Sequence, residues 1–216
     1  HKDITRVTTD GEWAARVSAP GHDEIADVAR SANQMLDVIQ TQVGQLQQES
    51  MTDAVTGLPN RRAFDQRLQQ AMASAQRNGR ALSVVMFDLD RFKAYNDHFG
   101  HLEGDRVLRT FAQCLREALH RPGDLPARHG GEEFAVLLED TDLDGALACA
   151  RSIIEALAEL GLPHPLNLPT ETVTCSAGVA TLGKQDTISK DLVQRADKAL
   201  YDAKHGGRNR VCAATA

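Results

Sequence analysis

Apolar and polar positions follow two periods along this chain, and the switches between them mark the predicted elements. From Asp23 onward Ile25, Val28, Ala32, Met35 and Ile39 recur at steps of three and four, the seam of a coiled coil. Val43 and Leu46 follow after an extra step of four, a stutter. Ahead of that seam, Ile4 to Ser18 is short and mixed, punctuated by Gly11, Pro20 and Gly21. Gly57 and Pro59 predict a turn, and Asn60 caps a helix whose stripe is Phe64, Leu68, Ala71, Met72 and Ala75, ending near Asn78 and Gly79. Val84 to Phe87 is a continuous apolar run, the mark of a strand buried on both faces.

A short helix through Phe92 and Tyr95 comes next, then a longer one from His101 with Val107, Leu108, Phe111, Leu115 and Ala118 turned inward. A hairpin is expected around Gly130. Asp142 to Leu160 reads as a helix with Leu143, Leu147, Ala150, Ile154 and Leu157 on one face, followed by a quiet loop holding Pro163, Pro165 and Pro169. Thr172 to Ala180 reads as a strand, and Leu192, Ala196, Ala199, Leu200 and Ala203 as the last helix, closed by Gly206 and Gly207. Pattern alone predicts an antiparallel-rich α/β domain with helices packed on a sheet.

Two acidic groups interrupt this pattern where chemistry is expected. Asp88 and Asp90 stand at the end of the first strand, on one side by its two-residue period, and Glu132 and Glu133 separate Gly130 and Gly131 from the apolar run Phe134 to Leu138. Glycines there allow close approach of a ligand. Hard Mg²⁺ takes oxygen ligands and is usually held by one or two carboxylates plus substrate phosphates, so a nucleotide substrate is implied.

The stretch RHGGEEFAVLLED, with FDLDRFKAYNDHFGHLEGD upstream, resembles the catalytic domain of GGDEF-family diguanylate cyclases. DAVTGLPNRR (Asp53 to Arg62) and DKALYDAKHGGRN (Asp197 to Asn209) resemble the family's opening and closing signatures, so the likeness runs from about Thr52 to Val211. It implies a polymerase-palm or ferredoxin-like βαββαβ core within an α/β (α+β) domain, residues 51–216. It also implies a diguanylate cyclase, a nucleotidyltransferase that condenses two GTP into cyclic di-GMP and two pyrophosphates. Each active site of the family holds one GTP, so catalysis requires a homodimer.

The resemblance carries roles residue by residue. Asp88 and Glu132 match the metal-binding acids, with the Leu89 carbonyl beside them, and two Mg²⁺ ions, with Mn²⁺ as the alternative, serve each phosphoryl displacement. Glu133 is a further metal ligand or assists deprotonation of the 3′-hydroxyl. Asn96 and Asp105 match the guanine-reading pair, Phe92 and Lys93 the phosphate contacts, and Lys204 and Arg208 the distal triphosphate contacts. RPGD, with Arg121 and Asp124, matches an inhibitory product site for cyclic di-GMP. Each has a plainer reading: a helix N-cap for Asp88, solvated side chains for Asn96 and Asp105, surface charges for Lys204 and Arg208, an ordinary turn for RPGD. Glu132 replaces the aspartate of the family's name and keeps the carboxylate, and Val55 stands where leucine is usual.

Bulk properties narrow the partners. The 216 residues carry a net charge of −6 with dispersed basic residues, which disfavours a nucleic-acid polymer and the reading as a template-directed polymerase palm. Cys114, Cys149, Cys175 and Cys212 have no CxxC spacing and read as thiols of a reducing compartment. His98, His101, His120, His129 and His164 share no metal-ligand spacing, and His101 is expected to pack. Residues 1–50 resemble the end of the first helix, the connector and the second helix of a HAMP signalling module; a generic dimerisation helix is the alternative. No membrane span is expected in this chain, but a HAMP-like start implies a cytoplasmic domain of an inner-membrane parent. A catalytically silent cyclic di-GMP receptor is the competing function.

Overall fold

The computed structural model describes residues 28–29, 31–39 and 51–214. By internal packing the chain divides into two compact units, His1–Ser50 and Met51–Ala216. Of the first unit, the described residues are helical, with Ala29 buried and the seam residues Val28 and Met35 each 68% exposed. The predicted connector from Ile4 to Gly21, the cap Asp23 and the seam residues Ile25, Val43 and Leu46 lie outside the described residues.

The second unit is built in the order α1 (Arg61–Asn78), β1 (Leu82–Leu89), α2 (Phe92–Phe99), α3 (His101–Ala118), β2 (Leu125–Gly130), β3 (Glu133–Glu139), α4 (Leu143–Glu159), β4 (Cys175–Thr181), α5 (Ser189–His205) and β5 (Val211–Ala213). The strands form one sheet in the order β2-β3-β1-β4-β5. The three pairings among β2, β3, β1 and β4 are antiparallel and give the expected βαββαβ core, while β5 adds to β4 in parallel. Sequence pattern had no strand at β5, whose three residues are too few to show a period.

Strand β1 lies between β3 and β4, and all eight of its residues are buried. The alternation of its side chains separates two cores. Val85, Phe87 and Leu89 pack with Phe111 and Leu115 of α3 and Ala150, Ile153 and Leu157 of α4. Leu82, Val84 and Met86 pack with Phe64 and Leu68 of α1 and Leu192, Ala196 and Leu200 of α5. A strand covered on both faces has no place for polar alternation, which is why its sequence is a continuous apolar run.

Local signals hold where their chemistry is local. Asn60 accepts from Ala63 N at 3.0 Å and starts α1, and Gly79 closes it in the left-handed conformation (φ 64°). Asp142 caps α4 by accepting from Gly145 N at 2.9 Å. The inward face of α4 is shifted from expectation: Ala146 and Ile153 are fully buried, whereas Leu143 and Leu147 lie half-buried at its margin. His101 is exposed at the start of α3, so the packing role expected for it is absent. Cys114 and Cys175 are buried free thiols, and Cys149 and Cys212 are half-buried.

The tightest approach between sheet and helix is at Gly178 of β4, where a Cβ would overlap the Ala196 carbonyl and the Leu200 amide of α5. Gly178→Ala must push α5 outward, and a loss of stability of at least about 2 kcal/mol is expected in chemical denaturation. A change under half of that would mean α5 is held more loosely than this contact implies.

Candidate active site

The carboxyl ends of β1 and the start of β3 meet at one end of the sheet. Asp88 is the direct cross-strand partner of Glu133, and neighbouring positions of an antiparallel pair point to the same face. The Leu89 amide donates to the Glu132 carbonyl at 3.3 Å, tying the strand that carries Asp88 to the turn that carries Glu132. Three carboxylates thus gather at one sheet end. Asp88 is 7% exposed, and burial pushes its carboxyl up to about 6; Glu132 and Glu133 add to that push, against the pull of Lys204. The ammonium of Lys204, from the last turn of α5, stands 2.7 Å from Asp88 Oδ2 and supplies the cation this pocket calls for.

The glycine turn has its own support. Gly130 and Gly131 have φ of 155° and 54°, and nothing lies within 4 Å of where a Cβ would stand on either. Backbone conformation, not crowding, asks for glycine here, and the space over the turn is open to a ligand. Arg128 holds the turn in place: its Nε and Nη2 donate to the Gly131 carbonyl at 2.9 and 2.7 Å, while Nη1 donates to both carboxylate oxygens of Asp53 at 3.1 Å. The opening DAVTG turn is thereby joined to the GGEE turn, 75 residues away in the chain. Neither Asp53 nor Arg128 stood out in sequence as a pair, because nothing local couples them.

Beside the turn lies a cleft of about 450 Å³ whose lining includes Phe92, Lys93, Asn96, Asp105, Arg128 and Glu132. The predicted guanine and proximal phosphate residues are therefore together. Asn96 Oδ1 is buried there without a hydrogen-bond partner, an acceptor waiting for a donor. Gly104 of α3 makes room for it, since a Cβ at Gly104 would overlap Asn96 Oδ1. Asp105 keeps only a loose contact with Arg109 (3.8 Å). Arg91, not Asp88, occupies the N-cap of α2, in the left-handed conformation (φ 55°) with no side-chain cap. The plainer reading of Asp88 as a cap is thus excluded, and the first amides of α2 remain available to an anion.

Other residues singled out in the sequence fall around this cleft or away from it. Asp90 lies past the end of β1 with both oxygens already taken by Thr174, Ser176 and the Asn209 amide, so it is no companion ligand to Asp88. Lys204 reaches the acids, whereas Arg208 is exposed in the turn after α5 with φ 63°. Arg121 and Asp124 line a separate cavity of about 250 Å³, lined also by His120, Thr141 and Cys149. There Arg121 Nη1 donates to Thr141 Oγ1 at 3.3 Å, and Asp124 Oδ1 is buried with no partner. Burial raises the Asp124 carboxyl, with Arg121 opposing.

Burial would also raise Asp53, but hydrogen bonds from Thr56 and Arg128 hold it below the usual carboxylate value. A carboxyl depressed by folding stabilises the fold above its unfolded pKa and loses that contribution as pH falls through the folded value. Arg128→Ala is expected to cost about 2 to 3 kcal/mol at neutral pH, by loss of a mostly buried pair and an unsatisfied Gly131 carbonyl. That cost should begin to shrink as pH falls below the ordinary carboxylate value of about 4 and vanish as pH passes the lower folded value of Asp53. Urea titrations of both proteins at pH 7 and pH 3.5 check this; a cost independent of pH would remove Asp53 from the account.

Residues 50–210 match the protein family described as "Diguanylate cyclase, GGDEF domain". Diguanylate cyclase DgcP of Pseudomonas aeruginosa is 43% identical over 166 residues, 76% of this chain and 24% of that protein. Cyclic di-GMP phosphodiesterase PdeR of Escherichia coli is 38% identical over 164 residues, 76% of this chain and 24% of that protein. Diguanylate cyclase DgcM of Escherichia coli is 42% identical over 170 residues, 79% and 40% respectively. The chain therefore spans between 24% and 40% of the length of these relatives.

Among solved structures, the GGDEF domain of DgcB from Caulobacter crescentus in complex with c-di-GMP aligns with a TM-score of 0.70 at 36% identity, over 77% of this chain and 94% of that one. The coiled coil and GGDEF domain of the same protein aligns at 0.70 and 30% identity, over 89% of this chain and all of that one (100%). The active GGEEF domain of a diguanylate cyclase from Vibrio cholerae aligns at 0.66 and 37% identity, over 74% and 99%. With its paired acids at the sheet end, its glycine turn and its base-sized cleft in the same places along the sequence signatures, the chain belongs to the GGDEF family of diguanylate cyclase domains.

Proposed function

We propose that this chain carries an active diguanylate cyclase domain that joins two GTP into cyclic di-GMP with release of two pyrophosphates. The observation that carries the reading is the adjacency of an acid pair and an unsatisfied acceptor. Asp88 and Glu133 face each other across β1 and β3, and the cleft next to them holds the unpartnered acceptor Asn96 Oδ1. A base with amino and imide donors satisfies Asn96 and Asp105, and its phosphates then lie toward the uncapped start of α2, Phe92 and Lys93. Lys204 and Arg208 face the distal phosphates from the end of α5.

The donor set fits a hard divalent cation. Asp88 and Glu132, with the Leu89 carbonyl and Glu133 nearby, supply oxygen only, and Mg²⁺ takes one or two carboxylates together with phosphate oxygens and water. Mg²⁺, or Mn²⁺ in its place, would be held by these residues and would neutralise charge on the reacting phosphates. Lys204 then leaves Asp88 for the phosphates. Glu133, exposed at the mouth, is placed to receive the proton of the attacking 3′-hydroxyl.

A single cleft holds one nucleotide, so ring closure requires two copies of the domain face to face. The exposed seam at Val28 and Met35 supports a coiled-coil dimer that brings them together, as a HAMP-like input helix of a membrane-anchored parent would do. No helix among the described residues is long and apolar enough to cross a membrane. The cavity of Arg121 and Asp124 supports product binding: an orphaned carboxylate oxygen beside a guanidinium complements a guanine edge and a phosphate.

Incubation with GTP and Mg²⁺, read by mass spectrometry, tests the reading. Wild type is expected to form cyclic di-GMP, and Glu132→Gln to lose at least about a hundredfold in rate. Binding of cyclic di-GMP without any turnover, at every protein concentration, would replace the cyclase by a receptor. Gly104→Ala is expected to raise the KM for GTP about tenfold by displacing Asn96, with little change in thermal stability. An unchanged KM would remove Asn96 from base recognition.

A further inference from the structure

Asp90 is buried to 2% exposure and has no ion-pair partner among the described residues, an arrangement that costs free energy unless every lone pair is used. Its carboxylate meets three donors. Oδ1 accepts from Ser176 Oγ at 2.7 Å; Oδ2 accepts from Thr174 Oγ1 at 2.6 Å and from the backbone amide of Asn209 at 3.1 Å. The Thr174 hydroxyl has no freedom to turn away, because it accepts from Asn167 Nδ2 at 2.9 Å and its proton is thereby directed to Asp90. Asp90 N in turn donates to the Thr174 carbonyl at 2.9 Å. The two hydroxyls come from β4 and its lead-in, which are buried and rigid; the amide comes from the turn that follows α5.

That turn is conformationally demanding. Gly207, Arg208 and Asn209 have φ of 114°, 63° and 46°, so two consecutive residues with side chains are left-handed. Its middle is held by the Arg208 amide to the Ala203 carbonyl (3.0 Å), the Asn209 amide to Asp90 and Arg210 Nε to the Arg208 carbonyl (3.0 Å), before Val211 enters β5. The Arg208 side chain is exposed, and its place is set by the backbone on either side. An asparagine at position 90 would have nearly the same shape, yet would aim an NH₂ group at one of three donors. Oδ2, with two donors, must accept, and a charged acceptor strengthens all three bonds at once.

We propose that Asp90 is a positioning residue for the distal phosphates of the nucleotide: its carboxylate locks the Gly207–Asn209 turn to β4, and so fixes Arg208, and with it the end of α5 that bears Lys204, relative to Asp88. This rests on the cyclase reading and deepens it. It divides the two aspartates of the FDLD stretch into one that faces the ligand and one that builds the wall behind it. The same network reaches Asn167, in the proline-rich loop that sequence pattern reads as quiet. Asn167 is 4% exposed and donates also to the Thr172 carbonyl at 2.8 Å, so that loop is the outer anchor of the phosphate turn.

The test compares GMP with 3′-deoxy-GTP, which has the full triphosphate and no nucleophile, by calorimetry in the presence of Mg²⁺ on wild type and Asp90→Asn. The expected result is a loss of about tenfold or more in affinity for the triphosphate with less than about twofold change for GMP. A merely structural role would weaken both ligands alike; an equal loss, or no loss in a folded variant, overturns the proposal. Should Asp90→Asn fail to fold, Thr174→Val removes one hydroxyl from the network at nearly constant volume, and the gain in affinity from GMP to triphosphate should fall about threefold. An unchanged gain there overturns it too. Wild type that binds neither ligand would instead sink the cyclase reading on which this rests.

Discussion

Burial of β1 on both faces is the constraint from which the rest of this domain follows. Its apolar residues contribute alternately to the two cores, so neither α1 and α5 on one side nor α3 and α4 on the other can pack without it. A strand so placed cannot slip by one residue, because a slip would exchange every side chain between the two cores. Register is therefore rigid up to Asp88, the first polar side chain after Ser83. Chemistry is placed at the point where hydrophobic packing runs out, and inherits the precision of that packing.

Around this end of the sheet, irregular backbone is held by long-range polar contacts instead of by helices and strands. Arg128 joins the glycine turn to Asp53, and Asp90 joins the turn after α5 to β4. In both, a charged group is buried so that a loop facing the ligand becomes as fixed as a strand. Asp88 is the reverse case. Its carboxylate is buried next to other carboxylates, is pushed up to about 6, and pairs with the Lys204 ammonium. A strained electrostatic state of this kind belongs at a binding site.

Most of the architecture was legible because it depends on local periodicity. The stripe Phe64, Leu68, Ala71, Met72 and Ala75 is buried on α1 as its spacing requires, and Asn60 and Asp142 cap helices as their chemistry requires. The hairpin at Gly130 and the acids beside it were equally visible. Less legible were positions whose meaning comes from the far side of the fold. Asp90 shares the two-residue period of Asp88 and so looked like a second ligand. Only β4, some 84 to 86 residues on in sequence, shows that its oxygens are already taken. His164 likewise gave no signal in its proline-rich loop, yet it is buried against Tyr95 and contacts the Arg91 carbonyl at 3.3 Å.

The sequence by itself determined the helices and the four longer strands, their order and the place of the acids at the strand ends. Those properties reside in periods of two and of three to four residues, and in short motifs whose members touch through the local backbone. Tertiary structure alone decided which acid pairs with Lys204 and which is bonded to β4 and the turn after α5, why Gly104 has no side chain, and which arginine holds the glycine turn. Those outcomes depend on groups from distant segments meeting in a low-dielectric interior, where one hydrogen-bond donor more or less decides whether a buried oxygen is satisfied or waiting for a ligand.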